Sequence, residues 1–346
     1  MKNREIYQKD PSTRKLVNEG VASVNDETTP LALSVLRYEL ETFVCDGQYE
    51  KGMAHILDTF LKNIEQAQQP AVWVSGFYGS GKSHLVKMLR ALWLDTEFSD
   101  GAKARGIAVL PQNIQDLFRE LSTQAKRYGG LHAASGTLGA GASGSVRLAL
   151  LRIIFKSAGL PEQYPVARFV MWLKNENIYE AVKKQVEEKG LSLQDELDNL
   201  YVAEGLHEAL VKIKPNLFSS TTMCAETLNN LYPHVSDISS PDMIKVIRQA
   251  LTKSNKFPLT LIVLDEVQQY IGEDIQRSIE VQEVVEACCK DIGGKFMFIG
   301  TGQTAVTGTS NLKKLEGRFT IRVELSDADV DAVIRKVILA KKPDAK

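Results

Sequence analysis

An α/β fold, a parallel sheet flanked by helices, is predicted by three features of this 346-residue sequence. The runs Ala71–Val74, Phe257–Leu264 and Lys295–Gly300 are continuously apolar or nearly so, as expected for strands buried on both faces. Stretches with apolar residues at helical spacing separate them. A glycine-rich loop joins the first run directly to its helix, the arrangement of a phosphate-binding strand–loop–helix unit.

Taken in order, Leu33, Leu36 and Leu40, then Met53, Ile56, Leu57, Phe60, Leu61 and Ile64, mark two helices over Leu31–Gln66, with a turn at Asp46-Gly47. Ala71–Ser75 is the first strand and Lys82–Leu94 an amphipathic helix. Leu131–Leu138 reads as a second strand, ending in a glycine run (Gly136–Gly144) that serves as a mobile connector to a helix over Ser145–Ser157. Leu160–Lys256 reads as mainly helical, with Phe169, Met171, Trp172, Leu206, Leu210, Ile244, Val246 and Ile247 as its core faces. After the Phe257–Leu264 strand, Ile279, Val281, Val284 and Val285 trace a helix that leads into the Lys295–Gly300 strand. A short strand over Phe319–Leu325 follows, then a helix started by Ser326 and Asp329 with Val330, Val333, Ile334 and Val337 on one stripe. That stripe has nothing after it to pack on, so the chain is expected to be part of a longer protein.

Composition narrows the class. Hydrophobic residues make up 44% and charged residues 25%, which suits a globular protein, and a net charge of -1 argues against binding nucleic acid through a global positive field. The sequence has no apolar leader and no run long enough to span a membrane. The four cysteines have no metal-site spacing and read as reduced thiols of a cytoplasmic protein, and His55, His132, His207 and His234 are scattered without ligand spacing.

The segment Gly76-Phe77-Tyr78-Gly79-Ser80-Gly81-Lys82-Ser83 fits G-x-x-x-x-G-K-[ST] at every defined position. Gly76, Gly79, Ser80 and Gly81 let backbone N–H groups turn inward around a phosphate, and Lys82 reaches the terminal phosphates of ATP. Ser83 is a ligand for Mg²⁺. His84, the next residue, is grouped with this nucleotide site, in a packing or capping role rather than a catalytic one. Asp265-Glu266 closes the Phe257–Leu264 strand in the manner of a Walker B motif: Asp265 holds Mg²⁺, and Glu266 polarises the attacking water. Thr301 and Gln303 end the next strand, where Thr301 is the better placed to orient that water. Arg318, in Gly317-Arg318-Phe319, can reach a γ-phosphate bound on an adjacent subunit, with Arg322 as the second choice.

In this order the motifs resemble the AAA+ P-loop NTPase core, in the branch near replication initiators and clamp loaders. About 180 residues separate Ser83 from Asp265, far more than the 30 or so of a simple βαβ unit, so a helical insertion is implied. More narrowly, Lys9-Asp10-Pro11, Asn18–Ala22, Trp73–His84 and Leu264–Gly272 resemble the BrxC/PglY family, the large P-loop protein of bacterial BREX phage-defence systems. The resemblance implies an ATPase that forms homo-oligomers and works with a DNA methyltransferase, a phosphatase-like protein and other BREX components, DNA being an indirect partner. It also implies a division into an extension (1–45), the first part of the core (46–158), a helical insertion (159–256), the second part of the core (257–326) and the first helix of a truncated lid (327–346). Two activities remain open: an ATPase that remodels a defence complex, and a nucleotide-dependent assembly switch with little hydrolysis.

Overall fold

A computed structural model describes residues 6–7, 29–138, 145–326, 335–336 and 341. The chain divides into two compact units, one from residues 1–142 and 252–346 and the other from residues 143–251.

The first unit is built on a five-stranded sheet in the order β2-β3-β4-β1-β5, every neighbouring pair parallel. Its strands are β1 (Val72–Ser75), β2 (Leu131–Thr137), β3 (Leu259–Asp265), β4 (Phe296–Gly302) and β5 (Ile321–Glu324). All residues of β1, β3 and β4 are buried, which explains why these strands read as unbroken apolar runs. At the edge, β5 alternates: Ile321 and Val323 point inward while Arg322 and Glu324 face solvent. Because the strands are parallel, their carboxyl ends share one edge of the sheet, where α/β folds bind ligands.

One face of the sheet, with Val72, Val74, Leu261, Val263 and Ile299, packs into a core with four helices. These are α1 (Pro30–Glu41), α2 (Gly47–Asn63), α3 (Lys82–Leu94) and α5 (Gln112–Ala125); the single turn α4 (Ala104–Ile107) lies between the last two in sequence. Thr29 caps α1 ahead of a first-turn proline, and Asp46 caps α2 by accepting from the Gly47 N–H at 2.8 Å. Helices α4 and α5, between Leu94 and Leu131, are not among the elements the sequence pattern predicts. The opposite face carries Trp73, Phe298 and Phe319, with Trp73 edge-on to Phe319 at 5.2 Å.

The second unit consists of α6 (Val146–Ser157), α7 (Tyr164–Asn175), α8 (Tyr179–Glu187), α9 (Leu193–Asp198), α10 (Glu204–Ile213), α11 (Thr221–Leu231) and α12 (Ser240–Leu251). Helix α6 belongs here rather than to the sheet unit: it packs on α7 and α12 and buries Leu150, Leu151, Ile154 and Phe155. The helical unit therefore starts before residue 159 and ends at Leu251, short of the expected 256. Phe169, Leu206, Leu210 and Ile247 are buried in it, whereas Trp172 is half-buried, stacked on Phe169 at 5.8 Å.

The chain continues in the first unit through β3, α13 (Val267–Ile271), α14 (Ile275–Ala287), a π-helical turn (Cys288–Ile292), β4, α15 (Ser310–Lys313) and β5. The glycine run beyond Leu138, most of the N-terminal extension, and the Asp329, Val330, Val333, Ile334 and Val337 positions of the last expected helix lie outside the described residues. Among the described residues no helix is long and apolar enough to cross a membrane.

On β2, burial first, then Lys253 and Arg90, push the His132 imidazole down to about 4. Its folded value lies below the unfolded one, so the stability it contributes is present above about pH 6.5 and is lost as pH falls toward 4. With allowance for partial exposure this amounts to about 2 kcal/mol. Burial pushes His84 in the same direction. Urea midpoints at pH 7 and pH 4.5 check this: His132→Asn is expected to shrink the difference between them.

Candidate functional site

The carboxyl ends of β1, β3 and β4 open into a cleft of about 230 Å³ lined by Gly79, Gly81, Lys82, Ser83, His84, Asp265, Glu266 and Thr301. With Gln303, nine of the residues singled out in the sequence, from segments up to about 220 positions apart, thus meet at one place. Tyr78, Gln268, Gln269, Gly302 and Gln303 complete the wall.

The loop after β1 turns directly into α3. Gly81, at the helix N-cap, has φ +86° and offers no side-chain cap, so the first N–H groups of α3 remain available to an anion. A Cβ at Gly81 would overlap the Tyr49 hydroxyl. That hydroxyl, brought in by α2 and buried, donates to the Ser80 carbonyl at 3.0 Å and fixes the path of the loop. Nothing in the spacing around Tyr49 gives this role away, because α2 meets the loop only in three dimensions. Gly76 and Ser80 form the inner side of the loop: Ser80 is fully buried and its N–H donates to the Phe77 carbonyl at 3.2 Å.

Lys82 donates to the carbonyls of Gly76 and Phe77 at 2.7 and 2.9 Å, which folds its ammonium over the loop. Partial burial pulls this group below its ordinary value, and the nearby Asp265 carboxylate opposes the shift. A polyphosphate would relieve the desolvation, which is the balance expected of an anion-binding lysine. His84 lines the cleft with its ring edge-on to Phe43 at 5.7 Å. Burial lowers its pKa, so the imidazole is neutral at pH 7; packing describes it better than charge.

Across the cleft, β4 lies between β1 and β3, so Thr301 is paired with Val74 on one side and adjoins the end of β3 on the other. Its hydroxyl donates to Asp265 Oδ1 and accepts from the Glu266 N–H at 3.1 Å. The same Asp265 oxygen accepts from the Glu266 N–H at 3.1 Å. β4 runs two residues further than the apolar pattern indicated, and Thr301 is a buried strand residue rather than a free side chain beyond the strand. Its hydroxyl therefore holds the acidic turn in place. Glu266 itself sits in the left-handed region at φ 58° and ψ 28°. That conformation costs a non-glycine residue about 1–2 kcal/mol, and strain of this kind collects at functional sites.

These residues suit a nucleotide phosphate and its Mg²⁺. The uncapped helix end and Lys82 are donors for the phosphate, and Ser83 with Asp265, the carboxylate near Lys82, supplies two oxygen ligands of the hard type Mg²⁺ takes, the remainder being water.

Arg318 is not in this cleft. Its carbonyl accepts from the Ala71 N–H at 3.2 Å, which puts it where β1 begins, whereas the glycine loop follows the strand's other end. The four residues of β1 separate the two places by about 13 Å of strand. There Arg318 pairs with Glu286 at 2.5 Å, and Arg322 pairs with Glu316 at 2.9 Å on the solvent side of β5. Neither arginine can serve the phosphate site of its own chain from these positions. No protein-family model matches the sequence, so the chemistry of the cleft rests on the residues that line it.

Proposed function

We propose that the protein is an ATPase of the AAA+ type that binds ATP–Mg²⁺ in the cleft at the carboxyl ends of β1, β3 and β4. The observation that carries the proposal is the convergence of Lys82, Ser83, Asp265, Glu266 and Thr301 on that cleft. Lys82 and the N–H groups of the glycine loop bind the phosphates, while Ser83 and Asp265 hold the cation, which neutralises the charge developing on the phosphoryl group. Glu266 accepts the proton of the attacking water, and Thr301 fixes Asp265 and the Glu266 backbone. The five-stranded, all-parallel sheet flanked by helices is compatible with a P-loop NTPase-like core.

Arg318, half-buried and paired with Glu286 at the opposite end of β1, completes the site of a neighbouring copy, so turnover requires a homo-oligomer. The stretches Trp73–His84 and Leu264–Gly272 carry the resemblance to the BrxC/PglY family. On that basis the protein acts in the cytoplasm in phage defence, with a methyltransferase and a phosphatase-like protein as partners, and meets DNA through them. Titration with a fluorescent ATP analogue tests the binding step. Lys82→Ala removes charge-assisted hydrogen bonds worth about 1.5–3 kcal/mol each, and affinity is expected to fall about 100-fold. Unchanged affinity in a folded variant would contradict the assignment.

A further inference from the structure

Gln268 is the second residue of α13 and lines the cleft beside Glu266. Its Oε1 accepts two backbone N–H groups from the segment that follows β4, Gln303 at 2.6 Å and Thr304 at 2.9 Å. Only the carbonyl end of a carboxamide can accept, so this pair of donors fixes which way the group is turned. Both lone pairs of the oxygen are then used. The nitrogen is left as the open end, and among the described residues Nε2 takes part in no hydrogen bond.

The side chain is held from behind as well. The Trp73 indole N–H donates to the Thr304 carbonyl at 3.0 Å, which anchors the segment that Gln268 grips. A Cβ at Gly302 would come within 2.9 Å of Gln268 Oε1 and would also run into the Trp73 ring, so a glycine there is what lets the carboxamide approach. A glutamine side chain loses up to about 2 kcal/mol of rotamer entropy when fixed. Here that fixation leaves two N–H donors, oriented and unused, in the wall of a cleft whose glycine loop and Lys82 suit an anion.

We propose that Gln268 donates from Nε2 to the terminal phosphate of the bound nucleotide, so that it tells a triphosphate from a diphosphate and passes the difference to Gln303-Thr304 through its own carbonyl oxygen. The inference rests on the ATP-binding reading above. Its distinguishing feature is chemical: one end of the carboxamide holds the protein and the other holds the ligand. Gln268→Glu separates the two ends. A glutamate keeps an oxygen for the Gln303 and Thr304 N–H groups but places a negative oxygen where the donor was.

Binding of the non-hydrolysable analogue AMP-PNP and of ADP, each with Mg²⁺, would be measured for the full chain alongside its urea midpoint. For Gln268→Glu the expected result is a stability close to the parent's, ADP affinity within about twofold, and AMP-PNP affinity lower by at least about tenfold, the value of one lost charge-assisted hydrogen bond. Gln268→Ala, which loses both ends, is expected to lose stability as well as triphosphate preference. Equal affinity of Gln268→Glu and the parent for AMP-PNP, or an equal loss for both nucleotides, would overturn the role of Gln268 while leaving the nucleotide site intact. Failure of the parent to bind either nucleotide would instead overturn the ATP-binding reading, and this inference with it.

Discussion

Trp73→Ala is expected to lower the stability of the sheet unit by about 3–5 kcal/mol, the range for deleting a buried large aromatic. Trp73 is fully buried at the centre of β1, edge-on to Phe319, and its ring occupies the space that Gly300 and Gly302 leave open. Surrounding glycines have no side chains to swing into the cavity, so collapse around it is limited and the upper part of the range applies. The indole N–H bond to the Thr304 carbonyl at 3.0 Å goes too, which frees the segment after β4. Trp73→Phe is expected to keep much of the packing and to lose about 1–2 kcal/mol, including the hydrogen bond. Urea denaturation of the three proteins checks both figures; a loss under 1 kcal/mol for alanine would mean that the ring does not support the sheet.

Gly81→Ala is expected to lower stability by about 2–3 kcal/mol and to abolish nucleotide binding together. Two separate faults arise. A left-handed φ of +86° costs a residue with a Cβ about 1–2 kcal/mol. The added methyl also overlaps the Tyr49 hydroxyl, which must leave the Ser80 carbonyl, a hydrogen bond worth about 1 kcal/mol. Combining Gly81→Ala with Tyr49→Phe removes the overlap but not the backbone strain, so the double variant is expected to be less destabilised than the sum of the two single changes. Strict additivity in the same denaturation experiment would show that Tyr49 does not brace the loop.

Much of the cleft was legible in the sequence because its parts are locally encoded. A buried parallel strand has to be apolar on both faces, so Val72–Ser75 and Leu259–Asp265 announce themselves, and a loop that wraps a phosphate needs Gly79 and Gly81 at fixed offsets from Lys82. The order of strands was not encoded in this way. Only the sheet register shows that β4 slides Thr301 between β1 and β3, so that its hydroxyl meets Asp265. Tyr49 and Gln268 escaped notice for the same reason, since a tyrosine in an amphipathic helix and a glutamine after an acidic pair look ordinary until the loop they hold is seen. The place of α6 is not encoded in the sequence, because its apolar face would suit a sheet as well as another helix; in the structure it packs on α12.

The most direct test of the central claim is phosphate release from ATP–Mg²⁺ by the full chain and by Glu266→Gln, with bound nucleotide measured in the same samples. Glutamine has nearly the shape of glutamate but cannot take a proton, so turnover is expected to fall about 100- to 1,000-fold while ATP stays bound. Turnover in the variant within a few-fold of the parent would contradict the assignment of Glu266, and with it the reading of this cleft as an ATPase site.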